Sequence, residues 1–230
     1  QVDATGGTNS LSLTNASGAV NVTSANFTNS SGAEVLISGG SAGVNIGATI
    51  SSNAGRSVDI QSRTAGTVTF SGPITDTGTG IMLNANTGST VNFTGALTLN
   101  TGTNTAFTAT GGGSVSTTAT GSTITTTTAT ALNVTNTNIG AGNLIFRSIS
   151  SNGAASGIVL NATGASGGLT VTGNSAGQCG GGVSSPTPPA TIVAPVLADC
   201  TGGSILASTN AGINLINTRN VSLTRMRIAN

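Results

Sequence analysis

Glu34-Val35-Leu36-Ile37-Ser38, Ser57-Val58-Asp59-Ile60-Gln61 and Gly80-Ile81-Met82-Leu83-Asn84 are three versions of one phrase. In each, two aliphatic residues flank a residue of free choice. That alternation puts the first and third residue of the triplet on one face of a strand. The triplets starting at Leu11, Val35, Val58 and Ile81 follow one another at a near-constant step. Leu132-Asn133-Val134 and Ile158-Val159-Leu160 continue the series. A fixed period in this range, built from strand triplets and Gly/Ser/Asn turns, is the mark of a solenoid.

Each period holds more than one strand. Val20-Asn21-Val22 and Phe27 follow the first triplet, and Val44-Asn45-Ile46 and Ile50 follow the second. Val68-Thr69-Phe70 with Ile74, and Val91-Asn92-Phe93 with Leu97-Thr98-Leu99, keep the same three-part rhythm. Gly, Asn and Ser between the strands permit the positive φ of sharp corners. No segment carries an apolar stripe of helical period with caps, so essentially no helix is expected. The stretch from Ala106 to about Thr130 is degenerate, with Thr in place of aliphatics, and should be the weakest coil. About eight coils result, which at a strand spacing of ~4.8 Å give a rod on the order of 40 Å long.

One segment breaks the period. Ile158 and Ile213 stand more than two periods apart where one is expected, and the excess falls at about 174–201. This stretch holds Gly180-Gly181-Gly182 and the prolines Pro186, Pro188, Pro189 and Pro195. Adjacent prolines do not sit inside a paired strand. Cys179 and Cys200, the chain's two cysteines, bracket it. The expectation is one domain over residues 1–230, with a disulfide-closed loop standing off the coils.

Composition narrows the function classes. Only 5% of the 230 residues are charged, against roughly 25% in an ordinary soluble domain. The net charge is +1, with no His, Lys, Trp or Tyr. No base titrating near neutrality is present, and no metal site is expected from two cysteines without histidine. No cofactor is expected. The carboxylates Asp3, Glu34, Asp59, Asp76 and Asp199 are scattered, whereas glycoside hydrolysis needs two facing one bond. Glu34, Arg56, Asp59 and Arg63 read as a solvent-facing charge pair or two. No apolar run is long enough for a transmembrane segment, and no basic, aromatic-bearing groove for nucleic acid stands out. Arg147, Arg219, Arg225 and Arg227 gather towards the C-terminus and are candidates for a partner or acidic-glycan contact. Thr75-Asp76-Thr77, Thr101-Gly102-Thr103 and Thr126-Thr127-Thr128 recur about one period apart, the pattern of a Thr ladder on a flat face.

The segment Gly212-Ile213-Asn214-Leu215-Ile216-Asn217-Thr218-Arg219-Asn220-Val221-Ser222-Leu223 resembles a repeat of pectate-lyase-like right-handed parallel β-helix proteins. The Thr-Val-Thr strands resemble the repetitive passenger regions of bacterial surface and autotransporter-type proteins. The resemblance implies a right-handed parallel β-helix, all-β, on a bacterial exterior, and no particular reaction. The function expected is a non-enzymatic extracellular or cell-surface rod, structural or adhesive. Head-to-tail stacking of its end coils into filaments, or membership of a longer surface protein, would cover the uncapped ends. Surface glycans or other surface proteins are further partners. A glycan-binding or glycan-processing β-helix and an ice-binding protein are the alternatives.

Overall fold

The computed structural model describes residues 2–174, 177, 179, 180, 182, 183, 192, 193 and 196–229. The chain is a parallel β-solenoid with three sheets wound about one core. Sheet 1 has eight levels: Asn9–Thr14, Ala33–Ser38, Arg56–Gln61, Ile81–Asn84, Phe107–Thr110, Leu132–Thr135, Ile158–Asn161 and Ile213–Ile216. Sheet 2 also has eight, running from Ala19–Val22 to Ser222–Leu223. Sheet 3 has nine, because Val2–Thr5 precedes the first strand of sheet 1 and Met226–Ala229 is the last. The winding therefore makes about nine turns, one more than the triplets suggest. A single 3-10 turn, Leu197–Asp199, is the helical content of the described residues.

The quoted triplets stack in register. Leu11, Val35 and Val58 are partners in sheet 1, and Val58 pairs with Ile81. Ile81 then pairs with Phe107, Phe107 with Leu132, Leu132 with Ile158, and Ile158 with Ile213. The first and third residues point inward: Val35, Ile37, Val58 and Ile60 are wholly buried. Burying such a side chain contributes roughly 1.5–3 kcal/mol relative to leaving it in water. All five phenylalanines are in the core. Phe70 and Phe93 stack at 5.0 Å, and Phe107 from sheet 1 meets Phe93 edge-on at 5.7 Å.

The corners follow simple rules. Where sheet 1 turns into sheet 2, the residue that follows each strand sits in the left-handed region: Asn15, Gly39, Ser62, Ala85, Gly111, Asn136, Ala162 and Asn217. Its N–H donates to the strand end of the next level, as from Ser62 to the Asn84 carbonyl at 2.9 Å and from Ala85 to Thr110 at 2.9 Å. Where sheet 2 turns into sheet 3, the levels approach so closely that a side chain has no room. A Cβ on Gly72 would lie 1.9 Å from the Ala48 carbonyl oxygen, and one on Gly95 2.1 Å from that of Gly72. The left-handed conformation costs an L-residue roughly 1–2 kcal/mol. Ala85→Gly and Ala162→Gly are therefore expected to raise stability by about 1 kcal/mol each, despite the greater freedom glycine has when unfolded. A rise in urea midpoint at constant slope is the signature; a fall would mean that the Cβ packs usefully.

The degenerate coil forms all three strands, Phe107–Thr110, Ser114–Thr117 and Thr123–Thr126. Its register shifts at both neighbours, between Asn100 and Gly102 and between Val115 and Thr117. Thr117 points inward and bonds the Ile145 backbone, its Oγ1 accepting from the N–H at 2.8 Å. A hydroxyl thus serves an amide that the irregular strand leaves without its usual partner.

The insertion lies between Leu169–Val171 of sheet 2 and Gly203–Leu206 of sheet 3. The Asn174 N–H donates to Thr201 Oγ1 at 2.7 Å, so its roots are adjacent. Cys179 and Cys200 are disulfide-bonded. Gly182–Val183 pairs antiparallel with Ile192–Val193, outside the three stacked sheets. Gly181, Pro186, Pro188, Pro189 and Pro195 lie outside the described residues. Because the described strands of this loop pair with each other and not with a coil strand, replacing residues 175–200 by two glycines is expected to leave the β-type circular dichroism unchanged and stability within about 1 kcal/mol. Unfolding on excision would place the loop in the core.

Candidate functional site

The carboxylates are the natural starting point for chemistry, and two of them are structural. Glu34 is wholly buried; Oε1 accepts from the Ser30 N–H at 2.8 Å, and Oε2 from the hydroxyls of Ser10 at 2.7 Å and Ser30 at 2.8 Å. Asp76 is wholly buried and accepts from the N–H groups of Ser57 and Gly78, each at 2.8 Å. Asp76 stands at the corner from sheet 3 to sheet 1. Other levels put a hydroxyl there: Ser52 donates to the Gly55 carbonyl, Thr101 to Asn104 and Thr126 to Ala129. These acids brace turns as the hydroxyls do.

Arg63 is the largest of the wholly buried side chains. It follows the left-handed Ser62 and points under the corner. It donates to the carbonyls of Gly39, Ala42 and Ala65 and to the Ser89 hydroxyl. Burial pulls its pKa below the ordinary arginine value. The expectation that Glu34, Arg56, Asp59 and Arg63 form a solvent-facing charge pair or two is corrected in part: Glu34 and Arg63 point into the corners, each with its own hydrogen bonds. Of the four, only Arg56 and Asp59 pair at the surface, with Nε 3.9 Å from Oδ2. The signal in the sequence was spacing. Ser10 lies one period before Glu34, and Asn86 lies one period after Arg63 and is also buried.

The C-terminal arginines occupy different edges. Arg147 and Arg225 belong to the corner from sheet 2 to sheet 3, two levels apart, with Gly173 between them; the Gly173 N–H donates to the Arg147 carbonyl. Arg225 ties the root of the insertion to the last coil, its Nη1 donating to the Asn174 carbonyl at 2.6 Å. Arg227 lies on the sheet 3 strand Met226–Ala229. Arg219 lies at the corner from sheet 1 to sheet 2, beside Gly164 and Ala165. A groove of about 570 Å³ separates the disulfide, with Leu197, from the end coil at Leu223–Ala229, and both Arg225 and Arg227 line it.

The threonines show a register that the Thr-x-Thr motifs misplace. Thr101 and Thr126 are buried corner residues, so those two motifs do not form an exposed pair of columns. Sheet 3 instead carries one outward column at seven successive levels: Thr5, Thr28, Ser51, Thr75, Thr98, Thr123 and Ser148. Beside it, further along the strands on the same face, Asn100, Thr125 and Ser150 are partners. Finding this column requires the strand pairing, because the period drifts by a residue or two along it.

Among the described residues, no three Cys, Asp or Glu side chains converge as metal ligands, and no helix is long and apolar enough to cross a membrane. No protein family, no curated protein and no solved structure matches the chain.

Proposed function

We propose that this chain is a non-enzymatic structural or adhesive protein of the cell exterior, a rigid β-solenoid spacer. The observation that carries the reading is the uninterrupted core: one cluster of buried residues extends from Ala25 to Ile205 through every intervening level. Each level bonds only its neighbours, so added coils lengthen the rod without changing its cross-section. The ionisable groups within this core serve corners rather than a reacting centre. A disulfide fits an oxidising compartment. The last coil also presents Leu215, Ile216 and Ile228 at 44%, 43% and 54% exposure, which favours stacking of a further coil on it. Where that further coil belongs to a second copy, the contact does not close and builds filaments.

Sedimentation across micromolar concentrations tests the stacking. Rods of constant width that lengthen with concentration are expected, and a concentration-independent monomer would contradict it. A panel of polysaccharides should yield no new reducing ends or unsaturated products; turnover that survives purification would refute the non-enzymatic reading.

The seven-level hydroxyl column on sheet 3 favours a second reading, ice binding. Its hydroxyls repeat every ~4.8 Å on a face without charged side chains between Thr28 and Ser148. Thermal hysteresis that disappears in Thr98→Lys would establish it, and no hysteresis at all would remove it.

A further inference from the structure

Two shallow cavities, of about 450 and 300 Å³, lie end to end where sheet 3 turns into sheet 1. Arg56 and Thr79 line both. The wall is built from the turn residues of five successive levels, from Thr8 to Thr105. The floor is the outward column of sheet 1, in which Leu36, Asp59, Met82 and Thr108 are register partners. At these levels sheet 3 fills its matching outward positions with Ser and Thr. Here Leu36 and Met82 stand one level to either side of Asp59, both half-buried.

The polar groups of this groove are held apart. Arg56 Nη1 donates to the Thr79 carbonyl at 3.0 Å, which fixes the guanidinium. Asp59 Oδ1 accepts from Gln61 Nε2 at 2.7 Å, which fixes the carboxylate. Between them, Nε and Oδ2 are 3.9 Å apart, too far for a hydrogen bond. The side chains are 29% and 17% exposed. A donor and an acceptor thus face the groove side by side, with opposite charges and no net charge. The backbone of one residue in an extended chain complements such a pair, because its own N–H and C=O point to the same side: the carbonyl accepts from Arg56 and the N–H donates to Asp59. A lone carboxylate would meet Asp59, and a lone ammonium would meet Arg56. A sugar ring would want an aromatic platform, and none is available because Trp and Tyr are absent and every Phe is buried.

We propose that this groove binds an extended peptide lying along the solenoid axis, with the N–H and C=O of one residue bridging Asp59 and Arg56 and aliphatic side chains resting on Leu36 and Met82. Five levels span about 19 Å, which accommodates about six extended residues. This inference is independent of the spacer reading, since a rod with or without end stacking presents the same groove.

The test is selection of a displayed library of random heptapeptides on the immobilised full chain, followed by affinity measurement of the selected peptides. The expected result is enrichment of uncharged peptides with aliphatic side chains. Their affinity should fall at least tenfold in Arg56→Ala and in Asp59→Asn, and should be unchanged in Thr98→Ala on sheet 3. Leu36→Asp gives an independent reading of the same groove should either charged-pair variant fold poorly. Failure to enrich any peptide overturns the proposal, as does enrichment of peptides whose affinity ignores all three groove variants. Binding on a glycan array that these variants abolish, with no peptide selected, assigns the groove to a sugar and also overturns it.

Discussion

Arg63→Ala is expected to lower the stability of the chain by about 3–5 kcal/mol, because it strips the donor from several buried acceptors at once. The side chain reaches carbonyls of two coils, at Gly39 and Ala42 in one and at Ala65 in the next, and the Ser89 hydroxyl of a third. Truncation leaves those carbonyls buried without a donor, each at a cost of roughly 1–3 kcal/mol, and opens a void. Arg63→Lys should recover little, because one compact ammonium does not span the same acceptors. The pH dependence follows from the direction of the pKa. Burial disfavours the charged guanidinium, so folding lowers its pKa. That cost is present at every pH below the folded-state value and is relieved only as pH rises through it. The deficit of Arg63→Ala should therefore be flat between about pH 5 and about pH 9. Urea unfolding checks both statements. A loss under about 1 kcal/mol would mean that water reaches the corner and replaces the guanidinium.

Phe93→Ala is the second large effect, expected at about 3–5 kcal/mol. Phe93 is wholly buried, stacked on Phe70 of the preceding level and edge-on to Phe107. Its loss opens a cavity at the middle of the rod, where no neighbouring loop can collapse into it. In a solenoid the damage should be local. Hydrogen exchange should show the levels around Val68–Phe70, Val91–Phe93 and Phe107–Ala109 losing protection first, while Ile158–Leu160 keeps its own. Equal loss of protection along the whole chain would mean a single cooperative unit.

The coil cores were legible because their signal is local and repeated. Val35-Leu36-Ile37 and its relatives state the inward face by alternation and the stacking by period. The insertion was legible for the same reason, since it interrupts both. Corner chemistry was not. Ala85 and Ala162 carry no propensity for the left-handed region; the stacked levels impose it on them. Glu34, Asp76 and Arg63 look like surface residues because charged side chains usually are. Their burial depends on backbone N–H and carbonyl groups that converge only when the coils close. The Thr-x-Thr motifs misled in a related way, because one threonine of each later pair turns inward at a corner. The Arg56–Asp59 pair was legible as a surface pair, but the groove around it was not. Its wall comes from turns far apart in the chain, from Thr8 at one end to Thr105 at the other.

A spacer of the kind proposed above carries its resistance coil by coil. Pulling single molecules from residue 2 to residue 229 tests it most directly. The pairings of Val35 with Val58 and of Ile81 with Phe107 set the length of chain in one coil. Extended, a coil of that length releases about 80 Å. The expected record is a series of force steps near that length, with a longer step for the coil that carries the insertion. One rupture releasing the whole chain, or smooth lengthening at low force, would contradict the account.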